Sequence, residues 1–112
     1  VMITVAPEAV TPAQIGELSA LGAVVSLGHS DSSFEATNQC LAAGASCFTH
    51  LFNAMSQMEN RAPGVVGAAI NSQAHAGFIC DGHHVADEML KLAGPRASRF
   101  TGKPYRCTTG NC

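Results

Sequence analysis

The sequence is short of several things that would assign it quickly to a class. It has no tryptophan, and only 12% of its residues are charged. Its six lysines and arginines are scattered. No basic patch is therefore expected, and neither nucleic acid nor an anionic membrane surface is an expected partner. No apolar stretch approaches the roughly 18 residues that a membrane span requires. Val1 to Pro7 is apolar but has no basic flank and no small-residue cleavage site, so it does not read as a secretory signal. These absences point to a cytoplasmic protein. No CxxC pair is present, which removes the usual zinc-knuckle and thioredoxin-like signatures. GxGxxG and P-loop motifs are also missing, and Ser30 has no GxSxG setting.

What is present suits a small globular domain. The 112 residues are 46% hydrophobic, with a net charge of −2. Mean hydropathy is +0.16. No charge-rich or low-complexity run signals disorder. Of the five cysteines, Cys40, Cys47 and Cys80 lie in apolar surroundings and read as reduced core thiols. Cys107 and Cys112 fall in a polar tail, and the spacing does not resemble a disulfide framework.

Short apolar runs alternate with helix-like segments. Met2 to Val5 reads as a buried strand. Thr11-Pro12 opens a helix, with Thr11 as N-cap and Pro12 at the first helical position. Ile15, Leu18 and Leu21 follow at helical spacing, and Gly22 stops the helix. A second strand, Ala23 to Leu27, leads into Gly28-His29-Ser30. The next helix runs from about Ser32 to Ala43, with Phe34, Cys40 and Leu41 inward and Gly44 as its stop. A third strand over Ser46 to Thr49 ends at His50. Asn53 to Gly64 is polar, contains Pro63 and reads as a long functional loop. Val65 to Ile70 fits helix or strand. Ala76 to Cys80 is read as the fourth strand, followed by Asp81-Gly82-His83-His84 and a last helix over Ala86 to Ala93. This order predicts a parallel α/β fold with about four βα units over residues 1–93 and an irregular tail over 94–112. Four strands cannot close an eight-stranded barrel.

In such folds chemistry gathers at the carboxyl ends of the strands. His29 and His50 both end predicted strands and stand 21 positions apart, about one βα unit. Two imidazoles placed this way suit a shared divalent cation such as zinc or iron, or they cap the sheet by hydrogen bonds. His83 and His84 follow a third strand end, as ligand, substrate contact or plain surface. His75 precedes its strand and reads as structural. Arg61 sits on the polar loop, as a phosphate or carboxylate partner or as a solvated side chain. Asn53 and Ala54 offer a side-chain amide and backbone N–H groups to an anion.

Three segments carry a resemblance. Val24-Val25-Ser26-Leu27-Gly28-His29-Ser30, Thr49-His50-Leu51-Phe52-Asn53-Ala54-Met55 and Asp81-Gly82-His83-His84-Val85 follow one another in the order and spacing of the N-acetylglucosamine-6-phosphate deacetylases of the amidohydrolase superfamily. Thr4-Val5-Ala6-Pro7-Glu8 and Arg61-Ala62-Pro63-Gly64 also fit. The resemblance implies an interior part of a (β/α)8 TIM barrel that binds one or two divalent metals, commonly zinc or iron. It implies cleavage of acetate from N-acetylglucosamine 6-phosphate, in amino-sugar catabolism. His29 and His50 match metal ligands. Asn53 and Ala54 match a substrate-contacting pair, Arg61 a phosphate contact, and Asp81, Gly82, His83 and His84 a further substrate-contacting segment, with His84 at the family's histidine position. It also implies a homodimer, with some phosphate contacts supplied by the neighbouring subunit.

The departures concern carboxylates. The family's glutamate ligand stands in a His-x-Glu-Gly-Pro segment and its catalytic aspartate in a Thr-Asp-Ala segment, and the 112 residues contain neither. Glu8 belongs to a different motif. The chain by itself is therefore expected to show little or no deacetylase activity. A dihydroorotase-like or adenosine deaminase-like amidohydrolase is disfavoured by the phosphate-contact motifs.

Overall fold

A computed structural model describes residues 1–95. Its core is a parallel four-stranded sheet in the order β1-β2-β3-β4, built from β1 (Met2–Val5), β2 (Val24–Leu27), β3 (Cys47–Phe48) and β4 (His75–Ala76). The helices α1 (Pro12–Ala20), α2 (Phe34–Ala43) and α3 (Gly64–Asn71) connect consecutive strands, and α4 (Asp87–Ala93) follows β4. Sequential strands are thus spatial neighbours. Each crossover carries a helix, as parallel pairing requires. The expected α/β order of four βα units is the observed one.

Local chemistry explains most boundaries. The Thr11 side chain accepts from the Gln14 N–H, and the Gln14 side chain accepts from the Thr11 N–H, which closes a capping box. Ser33 caps α2 by accepting from the Ala36 N–H at 3.1 Å. Gly44 ends α2 with φ of 126°, a backbone open mainly to glycine. The segment from Val65, open to two readings in the sequence, is helical.

The sheet's two faces differ. Val25, Leu27 and Phe48 join Ile15, Cys40, Val65 and Val66 in one buried core between sheet and helices. Burial pushes the Cys40 thiol upward, with the Glu8 charge a second cause, so this cysteine is an inert core residue. On the other face, Thr49 Oγ1 lies 2.9 Å from Thr4 Oγ1 and 2.6 Å from Ser26 Oγ. This hydroxyl chain crosses three strands and satisfies Ser26, which is fully buried.

Three expectations need correction. β1, expected as a buried strand, has no fully buried residue, and Met2 at its start is 61% exposed. β3 and β4 are only two residues each, shorter than the runs over Ser46 to Thr49 and Ala76 to Cys80. Among the described residues β4 pairs with β3 alone, and past it the Gly77 N–H donates to the Phe48 carbonyl while the Gly77 carbonyl accepts from the Leu51 N–H. His75 does not precede its strand but opens it. It still lies at the amino ends of the strands, and its Nδ1 is buried without a hydrogen-bond partner among the described residues. The tail expected over 94–112 falls almost wholly outside the described residues.

Candidate functional site

The turns after β2 and β3 share a backbone that side chains seldom adopt. His29, His50, Phe52 and Ala54 have φ of 50°, 36°, 78° and 50°. Non-glycine residues at positive φ are uncommon, and each costs on the order of 1 kcal/mol or more unless its surroundings hold it. Four of them beside two strand ends mark a place where side-chain direction outweighs local comfort.

That direction brings the two histidines together. Nε2 of His29 lies 2.8 Å from Nε2 of His50, and the rings meet edge-on with centroids 4.5 Å apart. Nδ1 of His50 is 3.0 Å from the carbonyl oxygen of Asn53. A carbonyl only accepts, so this Nδ1 carries the proton and Nε2 presents its lone pair. A backbone carbonyl behind a ligating imidazole is the usual device for fixing tautomer and ring orientation.

The loops holding the histidines are stitched to each other. Ser30 N–H donates to the Ala54 carbonyl, and Ser56 N–H donates to the Ser30 carbonyl, both at 3.0 Å. Ser56 Oγ donates to the Ser32 carbonyl at 2.7 Å and accepts from the Val65 N–H at 2.8 Å. One hydroxyl therefore joins the loop after β2, the loop after β3 and the start of α3. On the far side, the turn after β1 sends Glu8 across to Ser30, whose Oγ donates to Oε2 at 2.5 Å. That hydrogen bond, ahead of backbone contacts, holds the Glu8 carboxyl below its ordinary range. The sequence showed Glu8 only as the end of the Thr4–Glu8 segment, with no role given to it, and did not single out Ser56.

A cleft of about 470 Å³ opens beside this pair, with Glu8, His29, Ser30, Asp31, Ala54 and Met55 as its walls. Ala54 thus shares the cleft with His29, and Asn53 contributes its carbonyl to His50. Arg61 is elsewhere. It lines a separate cleft of about 390 Å³ together with Asp31, Glu35 and Glu59. Asp81, Gly82, His83 and His84 form an exposed turn after β4. Asp81 Oδ1 accepts from the His83 and His84 N–H groups, both at 2.9 Å, and Oδ2 lies 2.6 Å from His84 Nδ1. These bonds, the backbone ones first, pull the Asp81 carboxyl far below the usual carboxylate range. His83 and His84 make no hydrogen bond to the His29–His50 pair.

Two ligands are fewer than a catalytic cation takes. Among the described residues no group of three or more His, Cys, Asp or Glu side chains could hold a metal ion. The pair itself fits two corners of a tetrahedral site. With metal–nitrogen bonds of about 2.0–2.1 Å, two ligand nitrogens stand roughly 3.3 Å apart. The rings would separate only slightly from their present contact.

Comparison with known proteins identifies the frame. The chain is 53% identical over 85 residues to an N-acetylgalactosamine-6-phosphate deacetylase of Shewanella, a match covering 75% of this chain and 22% of that protein. The N-acetylglucosamine-6-phosphate deacetylase structure from Pasteurella multocida superposes with a TM-score of 0.80 at 42% identity, over 82% of this chain and 24% of that one. The chain resembles one segment of the amino-sugar-6-phosphate deacetylases. The corresponding Mycobacterium smegmatis structure gives a TM-score of 0.82 at 34% identity, over 86% of this chain and 28% of that one. The chain thus spans about a quarter of the length of these deacetylases. No family model matches it.

Proposed function

We propose that this chain supplies half of the metal-binding centre of an enzyme that removes acetate from an N-acetylated amino-sugar 6-phosphate. The observation that carries this reading is the convergence of the His29 and His50 Nε2 atoms at 2.8 Å. The four parallel strands then form an arc of a (β/α)8 barrel, with the hydroxyl face of Thr4, Ser26 and Thr49 turned inward. The reading places the protein in cytoplasmic amino-sugar catabolism. Among the described residues no helix is long and apolar enough to cross a membrane.

His29 and His50 would hold one divalent cation, zinc or iron. Bound there, it supplies Lewis-acid polarisation of the acetamide carbonyl and a water of lowered pKa. The residues do the rest. Asn53 keeps the His50 lone pair aimed inward through its carbonyl. His29 must shift its proton from Nε2 to Nδ1, since Nε2 now donates to His50. Ala54, on the cleft wall, offers its backbone to the substrate, and Asn53 its side-chain amide. Asp81, Gly82, His83 and His84 would close over the sugar phosphate from the neighbouring strand end. Arg61 sits among carboxylates in a different cleft. The reading includes a homodimer in which its guanidinium serves the phosphate of the neighbouring copy's substrate. No His-x-Glu-Gly-Pro or Thr-Asp-Ala segment is present to supply a carboxylate ligand or a general base. The 112 residues alone should therefore release little or no acetate.

N-acetylglucosamine 6-phosphate is the substrate of this reading. The 53% match to an N-acetylgalactosamine-6-phosphate deacetylase favours the 4-epimer as a second reading. Equilibrium dialysis of the chain against zinc or cobalt tests the centre. About one cation per chain is expected, with His29→Ala or His50→Ala weakening retention at least ~100-fold, as expected when one of so few ligands is lost. Equal retention by wild type and both variants would overturn the metal reading.

A further inference from the structure

The turn after β1 contains a charged residue that the proposed chemistry does not use. Val5 is the last residue of β1, in register with Leu27 of β2. The Gly28 N–H donates to the Val5 carbonyl at 3.2 Å. The chain then turns through the short 3-10 segment Pro7–Ala9. Pro7 is buried, which fixes the turn, and Glu8 is left reaching over the end of the neighbouring strand. There its carboxylate takes the Ser30 hydroxyl at 2.5 Å and approaches the Asp31 N–H at 3.4 Å.

Ser30 directly follows His29, whose φ is 50°. A backbone held there needs restraint on both sides. The loop after β3 restrains Ser30 through the main chain, by the bonds to the Ala54 carbonyl and the Ser56 N–H. Among the described residues the one side-chain restraint on Ser30 from the β1 side is Glu8, and it is charge-assisted, hence stronger than a neutral bond. The Ser30 hydroxyl in turn accepts from the Ser32 N–H at 3.1 Å, so its donor is free for the carboxylate alone.

We propose that Glu8 is a positioning residue for the His29–His50 pair: by holding Ser30 from the adjacent strand, its carboxylate keeps the His29 imidazole aimed at His50. The inference rests on the metal-site reading for its functional consequence. It makes a structural claim that can be read without metal.

The test uses the whole 112-residue chain and two readouts. The first is the NOE between the His29 and His50 imidazole ring protons in metal-free protein, whose ring centroids are 4.5 Å apart. It is expected in wild type and in Glu8→Gln, whose amide oxygen still accepts from Ser30. It should vanish in Glu8→Ala and in Ser30→Ala. The second is cobalt affinity with its visible absorption spectrum. Loss of a partner behind a ligand typically costs about 10–100-fold in metal affinity. That loss is expected for Glu8→Ala, with a change in the spectrum, and a smaller one for Glu8→Gln. The double variant Glu8→Ala/Ser30→Ala should be no worse than Ser30→Ala alone, since that change already removes the bond to Glu8. Gly22→Ala, at the opposite end of the sheet where an added Cβ meets nothing within 4 Å, controls for general destabilisation and should leave both readouts unchanged.

An NOE that survives in Glu8→Ala overturns the proposal. So does a Glu8→Gln variant that loses cobalt as completely as Glu8→Ala, because the carboxylate would then act as a ligand. A fall in Gly22→Ala equal to that in Glu8→Ala reduces the effect to stability and also overturns it. If wild type binds no cobalt, the metal reading fails, and the NOE series alone decides the role of Glu8.

Discussion

The two ends of the sheet are built to different rules. At the amino ends, the chain turns on glycines. Gly22 and Gly44 take positive φ after α1 and α2, and the polar groups are satisfied by local caps. At the carboxyl ends after β2 and β3, positive φ falls on His29, His50, Phe52 and Ala54 as well as on Gly64. Glycine would relieve that strain and carry no imidazole. The strained end is held by bonds between loops that are distant in sequence: Glu8 to Ser30, Ser30 to Ala54 and Ser56, Ser56 to Ser32 and Val65. Strain kept at one end and removed at the other is what a site needing preset side-chain directions looks like.

The comparison breaks most easily at its glycines. Gly64 opens α3 at the strained end with φ of 64°, and an added Cβ would meet the Gln57 and Ser56 carbonyl oxygens at 2.7 and 2.8 Å. These are backbone atoms in the braced loop, so they cannot step aside cheaply. Gly22 at the opposite end has φ of 86° but nothing within 4 Å of a Cβ. Gly64→Ala should cost about 3 kcal/mol or more, from strain plus overlap, whereas Gly22→Ala should cost about 1–2 kcal/mol from strain alone. Urea unfolding of the two variants measures the difference. Equal losses would mean that the loop before α3 is not fixed.

A smaller effect is expected at Ser56. Its hydroxyl donates to one loop and accepts from the first turn of α3. Ser56→Ala leaves the Ser32 carbonyl and the Val65 N–H without that partner, at about 1–3 kcal/mol for a buried group left unsatisfied. Hydrogen exchange should localise the loss, with faster exchange at Val65 and at Ser30, Ser32 and Ser56 and little change at the Thr11 cap. A uniform rise across α1 as well would show that the brace is not local.

Much of this was legible in the sequence, for a physical reason. Thr11-Pro12, Gly22 and Gly44 act through the backbone within a turn of themselves, so their effect can be read where they stand. His29 and His50 were legible because strand ends in a parallel fold share one mouth. Glu8 was not, since its partner is 22 positions away on another strand, and no local pattern encodes that meeting. Ser56 was hidden for the same reason. The fourth strand was overread because apolar residues from Ala76 to Cys80 suggest length, while pairing sets it, and the register with β3 ends at Phe48 and Ala76. Arg61 was legible as a cation on a polar loop. Its placement in a cleft apart from His29 depends on the path of that loop.

The turn after β4 sharpens the contrast, because it sits at the same end of the sheet and, among the described residues, is held by its own hydrogen bonds. Asp81 holds the His83 and His84 N–H groups, and those bonds keep its carboxyl far below the ordinary aspartate range. A depressed carboxylate contributes stability at pH above its unfolded value, about 3.9 for aspartate, and loses it only as pH falls through the lower folded value. The turn should therefore hold through the interval in which ordinary aspartates protonate. Amide chemical shifts of His83 and His84 followed by NMR from neutral pH down to about pH 3 should show no transition from Asp81 near 3.9. Asp81→Asn keeps one acceptor oxygen and loses the charge, and both amides should move toward random-coil positions at neutral pH. The Ser30 and Ser56 amides, held by the separate brace, should stay where they are in that variant. Movement of those amides together with His83 and His84 would show that the three strand ends form one cooperative surface, and the division between braced and self-held loops would be lost.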